Sequence, residues 1–316
     1  MVKWFLLLVL FSQSVIAAPY YRFWRGYKRD HHVKAVVTDG KKTFVDDPEH
    51  KMSWEDFESL VNTWLIPATT SCCAEMSLIA YLPVMLPKGK KQSQIHDEIA
   101  LIVYKSEEAY KATREDKNNI EAQVYGPLHA DVFAIGNTKA EKLEDREKTS
   151  RSLVPIPFHG EVDLSPKEFN FFLPEAAYDI LSKDVDWQKG HTVFRISLIA
   201  VDRESLEPLN TYLREMKGKA DKIGLLGHTV LVTERYIIEY LNWEDSHAWS
   251  DFLKSRLDHS FKRLAEKGYL EVPARPKHQL DTNPLQYEKV GFLQAGNLQF
   301  EVGKKPAPPV KHPRLD

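Results

Sequence analysis

Arg195, His228, Tyr236 and Tyr240 are the residues of this 316-residue chain whose types and placement offer chemistry to one another. Arg195 lies in an alternating apolar segment at 192–201, and His228 follows Gly227 near the start of a second one at 225–233. The two tyrosines sit in a third, at 235–242. Period-two alternation reads as strands, and two strands joined by so little read as a hairpin. A histidine there can polarise a substrate carbonyl or ligate a haem iron. The plainer reading is a hydrogen-bonded strand histidine. Haem is therefore admitted as a cofactor but not required by the sequence. His129 and Asp131, in Tyr125-Gly126-Pro127-Leu128-His129-Ala130-Asp131, form a second constellation. On an extended chain they point to one side, where the carboxylate can orient the imidazole or both can hold a metal. An ordinary polar turn explains them equally. His96-Asp97-Glu98 before a strand has the same ambiguity, and His247 and His259 are too far apart on one helix to share an ion. No metal site is predicted. No Gly-x-Ser-x-Gly elbow, phosphate-binding loop or His-Glu-x-x-His motif is present, so no reaction class is dictated.

Several elements must position these residues. In the first half, 33–38 reads as a strand, and 53–64 as a helix capped by Ser53, with Trp54, Phe57, Leu60, Val61 and Trp64 on one face. Strands follow at 77–86, where Pro83 marks an edge or a bulge, and at 98–104. A short helix covers 106–115, and 125–133 reads as a closing strand or loop. In the second half, a strand at 192–201 precedes a helix at 204–219, the hairpin, one long helix from Asp245 or Ser246 to Lys267, and a last strand from Tyr269. Between the halves, 139–151 is a charge run, 154–163 looks extended and 165–179 reads as a short helix. The order strand, helix, strand, strand, helix, strand is the split βαβ unit.

The ends of the chain address location. Residues 1–17 carry Lys3, an apolar run and small residues at a cleavage point, the pattern of a secretory signal peptide. The expected protein is secreted or periplasmic, and no later apolar run is long enough for a transmembrane helix. Residues 18–32 interleave Tyr20, Tyr21, Trp24 and Arg25 with further basic and aromatic residues, an arm that can contact an envelope surface. A formal net charge of -2 argues against nucleic acid as a partner. Cys72 and Cys73 are adjacent, so no disulfide framework exists.

The layout resembles the dimeric α+β barrel superfamily, which includes the antibiotic-biosynthesis-monooxygenase-like and stress-responsive barrel proteins. The resemblance is one of element order over 34–133 and 191–272, with Val230-Leu231-Val232 and the segment 243–270 suited to the hairpin and the helix after it. It implies an α+β fold of two ferredoxin-like units in tandem, forming a barrel-like arrangement. It also implies a pocket between a sheet and its helices, lined by Arg195, His228, Tyr236 and Tyr240. The expected division is a signal peptide at 1–17, an aromatic-basic arm at 18–32, a first unit at 33–133, a connection at 134–190, a second unit at 191–272 and a proline-rich tail at 273–316. The expected function is binding of a small hydrophobic or aromatic ligand, with cofactor-free or haem-linked oxygenase-type chemistry. The alternative is a non-catalytic envelope scaffold.

Overall fold

A computed structural model describes residues 18–66, 69, 77–85, 96–115, 126–134, 150–163, 175–182, 185–187, 189–197, 203–233, 236–264 and 269–274. The predicted leader, Cys72, Cys73 and all but two residues of the proline-rich tail lie outside them. The fold is α+β, and its described strands form two large sheets and one separate ribbon.

The first sheet has four strands. Tyr20–Gly26 (β1) pairs with Glu98–Tyr104 (β5) on one side and Arg151–Leu153 (β6) on the other, and Leu78–Met85 (β4) lies at the edge beyond β5. Segment 20–26 is therefore an interior strand and not an arm. Its alternation is the reason: Tyr21, Phe23 and Arg25 turn to one face and are buried. This corrects the expected envelope contact, because Tyr21 and Arg25 lie in the interior. The strand expected at 33–38 does exist, as His31–Thr38 (β2), but it belongs to a separate ribbon with Lys41–Lys51 (β3). Ser53 then caps Trp54–Leu60 (α1) with a reciprocal Ser53–Asp56 capping box, and a π-helical turn, Val61–Leu65, extends it. Glu107–Glu115 (α2) starts after Ser106, whose Oγ accepts from the Ala109 N–H at 3.0 Å. The closing strand or loop expected at 125–133 is a helix instead over Gly126–Val132 (α3), and β6 closes the sheet. Pro127 in the first turn suits a helix start, because its missing N–H has no partner to lose there.

Ile156–Pro157 (β7), Glu175–Leu181 (β8), His191–Ser197 (β9), Leu225–Thr233 (β10), Ile237–Trp243 (β11) and Tyr269–Ala274 (β12) make the six-stranded sheet, in the order β12-β9-β11-β10-β8-β7. The segment from Glu175, expected as helix, is a strand. Its alternation of Ala176, Tyr178 and Ile180 with Ala177 lets it bury both faces. Arg203–Ile223 (α4) links β9 to β10. The single long helix expected after β11 is two helices, Ser246–Phe252 (α5) and Arg256–Leu264 (α6). Asp245 caps α5, and the Ser255 hydroxyl accepts from the Asp258 N–H to start α6, so the break carries its own cap. No described helix is long and apolar enough to cross a membrane.

The two sheets pack face to face. Tyr21, Phe23, Leu82, Leu101 and Val103 meet Ala177, Phe194, Leu231, Ile238 and Tyr240 in one apolar layer. The outer face of the four-stranded sheet carries α1 through Phe57, Leu60 and Val61. The outer face of the six-stranded sheet carries α4, α5 and α6 through Leu213, Met216, Trp249, Phe252 and Phe261. Three apolar layers thus separate four structural ones.

Candidate functional site

Strand parity decides which candidate residues can meet. Arg195 pairs in register with Glu239, and Phe194 with Tyr240. Successive residues of a strand face opposite sides, so Arg195 and Glu239 face the helices while Tyr240 faces the other sheet. His228, two residues before Val230, also lies on the helix side. The four residues expected around one pocket therefore divide into two pairs in different layers, Arg195 with His228 and Tyr236 with Tyr240.

The helix-side pair sits in a closed ion network. Arg195 reaches Glu239 at 2.8 Å and Asp258 at 3.0 Å, and donates to the Tyr212 hydroxyl at 2.6 Å. The Tyr212 hydroxyl donates to Glu239 Oε1 at 3.1 Å, and His228 Nε2 lies 2.8 Å from the same oxygen. The Phe261 ring packs 3.8 Å from the guanidinium carbon. Burial pushes the Glu239 carboxyl up, but the Arg195 charge and the His228 contact outweigh it and hold the group below its ordinary value. Burial raises the Tyr212 phenol well above its ordinary value. These contacts span β9, β10, β11, α4 and α6, which is the role of a buried network that fixes how helices dock. His228 does not fit a haem ligand: Nε2 is engaged by Glu239, and Nδ1, without a hydrogen-bond partner among the described residues, is shut within a packed layer.

His129 and Asp131 are separated by the helix that holds them. Two residues along an α-helix turn the side chain by roughly 200°, so the shared-metal geometry expected of an extended chain does not arise. The His129 ring packs on Trp24, with centroids 4.3 Å apart, and on Phe133. Among the described residues no cluster of three metal-ligating side chains occurs.

Tyr240 and Tyr236 face the space between the sheets. The Tyr240 hydroxyl lies 2.8 Å from the Leu82 carbonyl and 3.1 Å from the Ile99 carbonyl, which ties β11 to β4 and β5 across the layer. Tyr236, just before β11, reaches the end of that layer, where a polar cluster gathers. Its hydroxyl lies 2.7 Å from His96 Nδ1, and the Tyr27 ring covers the His96 ring at 4.4 Å. Arg25, the last inward-facing residue of β1, forms a buried ion pair with Glu175 at the start of β8. Arg25, His96 and Tyr236 are all buried, and among the described residues Arg25 Nε and Nη2 have no acceptor.

Burial holds the His96 imidazole well below its ordinary pKa, and the nearby Arg25 charge lowers it further, so the ring is neutral and shares one proton with the Tyr236 hydroxyl through Nδ1. Burial lowers the Arg25 guanidinium to about 10, while the phenols of Tyr236 and Tyr27 favour its charged form. The cluster thus offers two unsatisfied guanidinium N–H groups beside a polarised phenol. Aromatic rings continue the layer, Phe23 and Phe194 each packing against Tyr240 with centroids 5.6 and 5.2 Å apart. Such an arrangement stabilises negative charge on an oxygen that enters beside aromatic surface. Sequence reasoning singled out only Tyr236 for this site. In the sequence His96 stays ambiguous between a site residue and an ordinary polar turn, and Arg25 reads as part of a surface arm. An arginine with phenylalanine at i-2 and tyrosine at i-4 is the signal that points inward.

A second buried acid lies on the opposite face of the same strand end. Glu98 accepts from Tyr81 Oη at 3.0 Å and from Trp24 Nε1 at 2.9 Å, and burial pushes its carboxyl up to about 7 against those two hydrogen bonds.

No family model matches the chain, and no curated protein matches it in sequence. Solved structures do resemble it at a distance. A provisionally assigned monooxygenase from Lactobacillus acidophilus aligns over 91% of this chain and 100% of its own, at 7% identity and a TM-score of 0.39. One from Fusobacterium nucleatum aligns over 92% and 99%, at 10% identity and a TM-score of 0.36. An anthrone oxidase-like protein aligns over 81% and 90%, at 10% identity and a TM-score of 0.34. The likeness is distant on every measure.

Proposed function

We propose that this chain binds a small aromatic or hydrophobic molecule at the end of the layer between its two sheets and stabilises an oxyanion on it. The observation that carries this reading is Arg25. Glu175 takes one of its nitrogens, while Nε and Nη2, which find no partner among the described residues beside the Tyr236–His96 pair, are costly to bury without an acceptor. A phenolate, enolate or carboxylate oxygen supplies one. In this reading Arg25 binds the oxygen, the Tyr236 hydroxyl donates its proton to it with His96 supporting the phenol from behind, and the aromatic layer excludes water.

Oxygenase-type chemistry without a cofactor is the reaction that such a site suits. An electron-rich enolate or phenolate is the form of an organic molecule that can give an electron to dioxygen, and the cationic Arg25 favours that form. The pattern of residues 1–17 supports an exported protein, and detection of a shortened chain in the medium or periplasm tests that part by itself.

The site is tested with 2-naphthol and naphthalene as probes, by quenching of tryptophan fluorescence in the full chain. Preferential binding of 2-naphthol, weakened about tenfold or more by Tyr236→Phe, supports the reading. Equal binding of both probes, or affinity unchanged in folded Tyr236→Phe, removes the oxyanion site. Oxygen consumption with 1,4-dihydroxynaphthalene, above the spontaneous rate and lost in Arg25→Met, tests the reaction.

A further inference from the structure

The ribbon of β2 and β3 stands apart from both large sheets. Asp39 and Gly40 turn it, each with φ in the left-handed region (52° and 73°), the requirement of a tight two-residue hairpin turn. From Lys34 to Asp46 nearly every residue is exposed, and Val37 and Val45 keep 68% and 43% of their surface in solvent. Among the described residues β3 pairs with β2 alone, which leaves its outer edge as a template for another strand. A lone two-stranded ribbon is marginal in water, and a third or fourth strand is what stabilises it.

The sequence of that edge is charge-antisymmetric. Residues 41–47 read Lys-Lys-Thr-Phe-Val-Asp-Asp, basic at one end, acidic at the other, with Phe44 at the centre. When the segment is laid antiparallel against a copy of itself and centred on Phe44, Lys41 faces Asp47, Lys42 faces Asp46, Thr43 faces Val45 and Phe44 faces Phe44. Both lysines of each copy then meet both acids of the other. A shift of one residue pair in either direction loses at least two of these four pairings. Strand parity agrees, since Lys42, Phe44 and Asp46 share one face of the ribbon and Lys41, Thr43 and Val45 the other. Pro48 lacks an N–H and ends the ladder just past the acidic end.

We infer that β3 pairs with β3 of a second copy of this chain, to make a four-stranded β2-β3-β3-β2 sheet about a two-fold axis through Phe44. A two-fold contact of this kind is self-complementary by construction. Asp46 and Asp47 are already held within the chain by Arg29 and by Lys34 and His50. The incoming lysines bring a further cation to each of the two acids. The Lys42 ammonium lies 5.3 Å from the Phe44 ring of its own strand, on the face that the partner's acid would approach. The pairing is independent of the site at Arg25.

Sedimentation velocity on the full chain over a range of concentrations tests the inference. The wild type forms a dimer, and Lys41→Glu/Lys42→Glu raises its dissociation constant by about tenfold or more, because four attractive pairs become repulsive. Lys41→Glu/Lys42→Glu mixed with Asp46→Lys/Asp47→Lys restores a dimer that neither forms alone. Because the acid variant gives up Arg29 and Lys34, its fold is checked by circular dichroism. Where it fails, Phe44→Cys decides. At the axis it cross-links to its copy under mild oxidation, beyond any cross-linking of the parent chain, and Thr38→Cys on β2 does not. A wild type that stays monomeric at all concentrations overturns the inference. So does a dimer indifferent to the lysine variant, or one that Phe44→Cys fails to link.

Discussion

The Tyr236 hydroxyl and Nδ1 of His96 share a hydrogen bond at 2.7 Å, joining the turn before β11 to the start of β5 and so one large sheet to the other. Both residues are buried, and the imidazole is held neutral by burial and by Arg25. Tyr236→Phe leaves Nδ1 of the buried ring unpaired at a cost of about 1–3 kcal/mol. Urea denaturation should show a loss in that range, with the slope of unfolding unchanged. A loss near zero would mean that water replaces the phenol and that the pair is not sealed from solvent.

Arg195 plays a different part, and its variants should separate stability from binding. It compensates Glu239 and Asp258 in a layer closed by α4 and α6. Arg195→Met leaves two buried acids without their cation and is expected to cost about 3–5 kcal/mol. The triple variant Arg195→Met/Glu239→Gln/Asp258→Asn removes the charges together and should recover part of that loss. Under conditions where Arg195→Met remains folded, its affinity for 2-naphthol should equal the wild type's, because the layer that holds Arg195 is not the one that holds Arg25. A selective loss of binding would transfer the site to the helix side.

Much of the fold was legible in alternation. Phe194 and Ile196 against Arg195, and Ile99, Leu101 and Val103 along β5, mark their strands without help from tertiary structure. Register between strands was not legible. Arg195 and Tyr240 look like neighbours on two adjacent strands until the pairing of Arg195 with Glu239 sends them to opposite faces. Segment 20–26 misled for another reason. Its arginines and aromatics resemble a surface arm in composition, whereas its parity, with Tyr21, Phe23 and Arg25 inward, is that of an interior strand. The acceptor for Arg25 comes from Glu175, 150 residues along the chain at the start of a strand that was read as helix. A site assembled from β1, the start of β5, the start of β8 and the turn before β11 leaves no local motif, so only Tyr236 could be named in advance.

The entry to β9 offers a backbone test of the six-stranded sheet. Gly190 has φ +74°, and a Cβ there would lie 2.2 Å from the Trp243 carbonyl oxygen. The left-handed conformation alone costs a side chain about 1 kcal/mol or more, and the carbonyl it would strike belongs to a paired strand that cannot retreat freely. Gly190→Ala should therefore lower the thermal midpoint markedly, while Gly40→Ala, strained in φ but with open space around it, should lower it much less. Equal shifts would show that steric approach at Gly190 is relieved by a movement of β11.

Glu98 predicts a pH dependence of stability whose sign follows from its burial. Its carboxyl is fully buried and pushed up to about 7, from an ordinary value of 4.5, with desolvation as the leading cause and the Tyr81 and Trp24 hydrogen bonds opposing it. The folded state therefore holds this proton over a pH range in which the unfolded state has released it. Stability falls wherever the folded state binds more protons. The contribution of Glu98 is thus most favourable below about pH 4.5, declines as pH rises toward 7, and is constant above. At 1.36 kcal/mol per unit of difference, the decline amounts to about 3 kcal/mol. His96 acts in the opposite direction: its pKa is lowered on folding, so its contribution weakens as pH drops below the ordinary imidazole value. The two effects overlap in the wild type, and the difference between Glu98→Gln and wild type isolates the acid. Glutamine keeps an acceptor for Tyr81 or Trp24 and carries no charge at any pH. Urea midpoints measured from pH 4.5 to 8 should place Glu98→Gln progressively above wild type as pH rises, with the gap closing at the acidic end. A gap that does not vary with pH would mean that Glu98 ionises in the folded protein as it does in the unfolded chain, and that Tyr81 and Trp24 fully offset its burial.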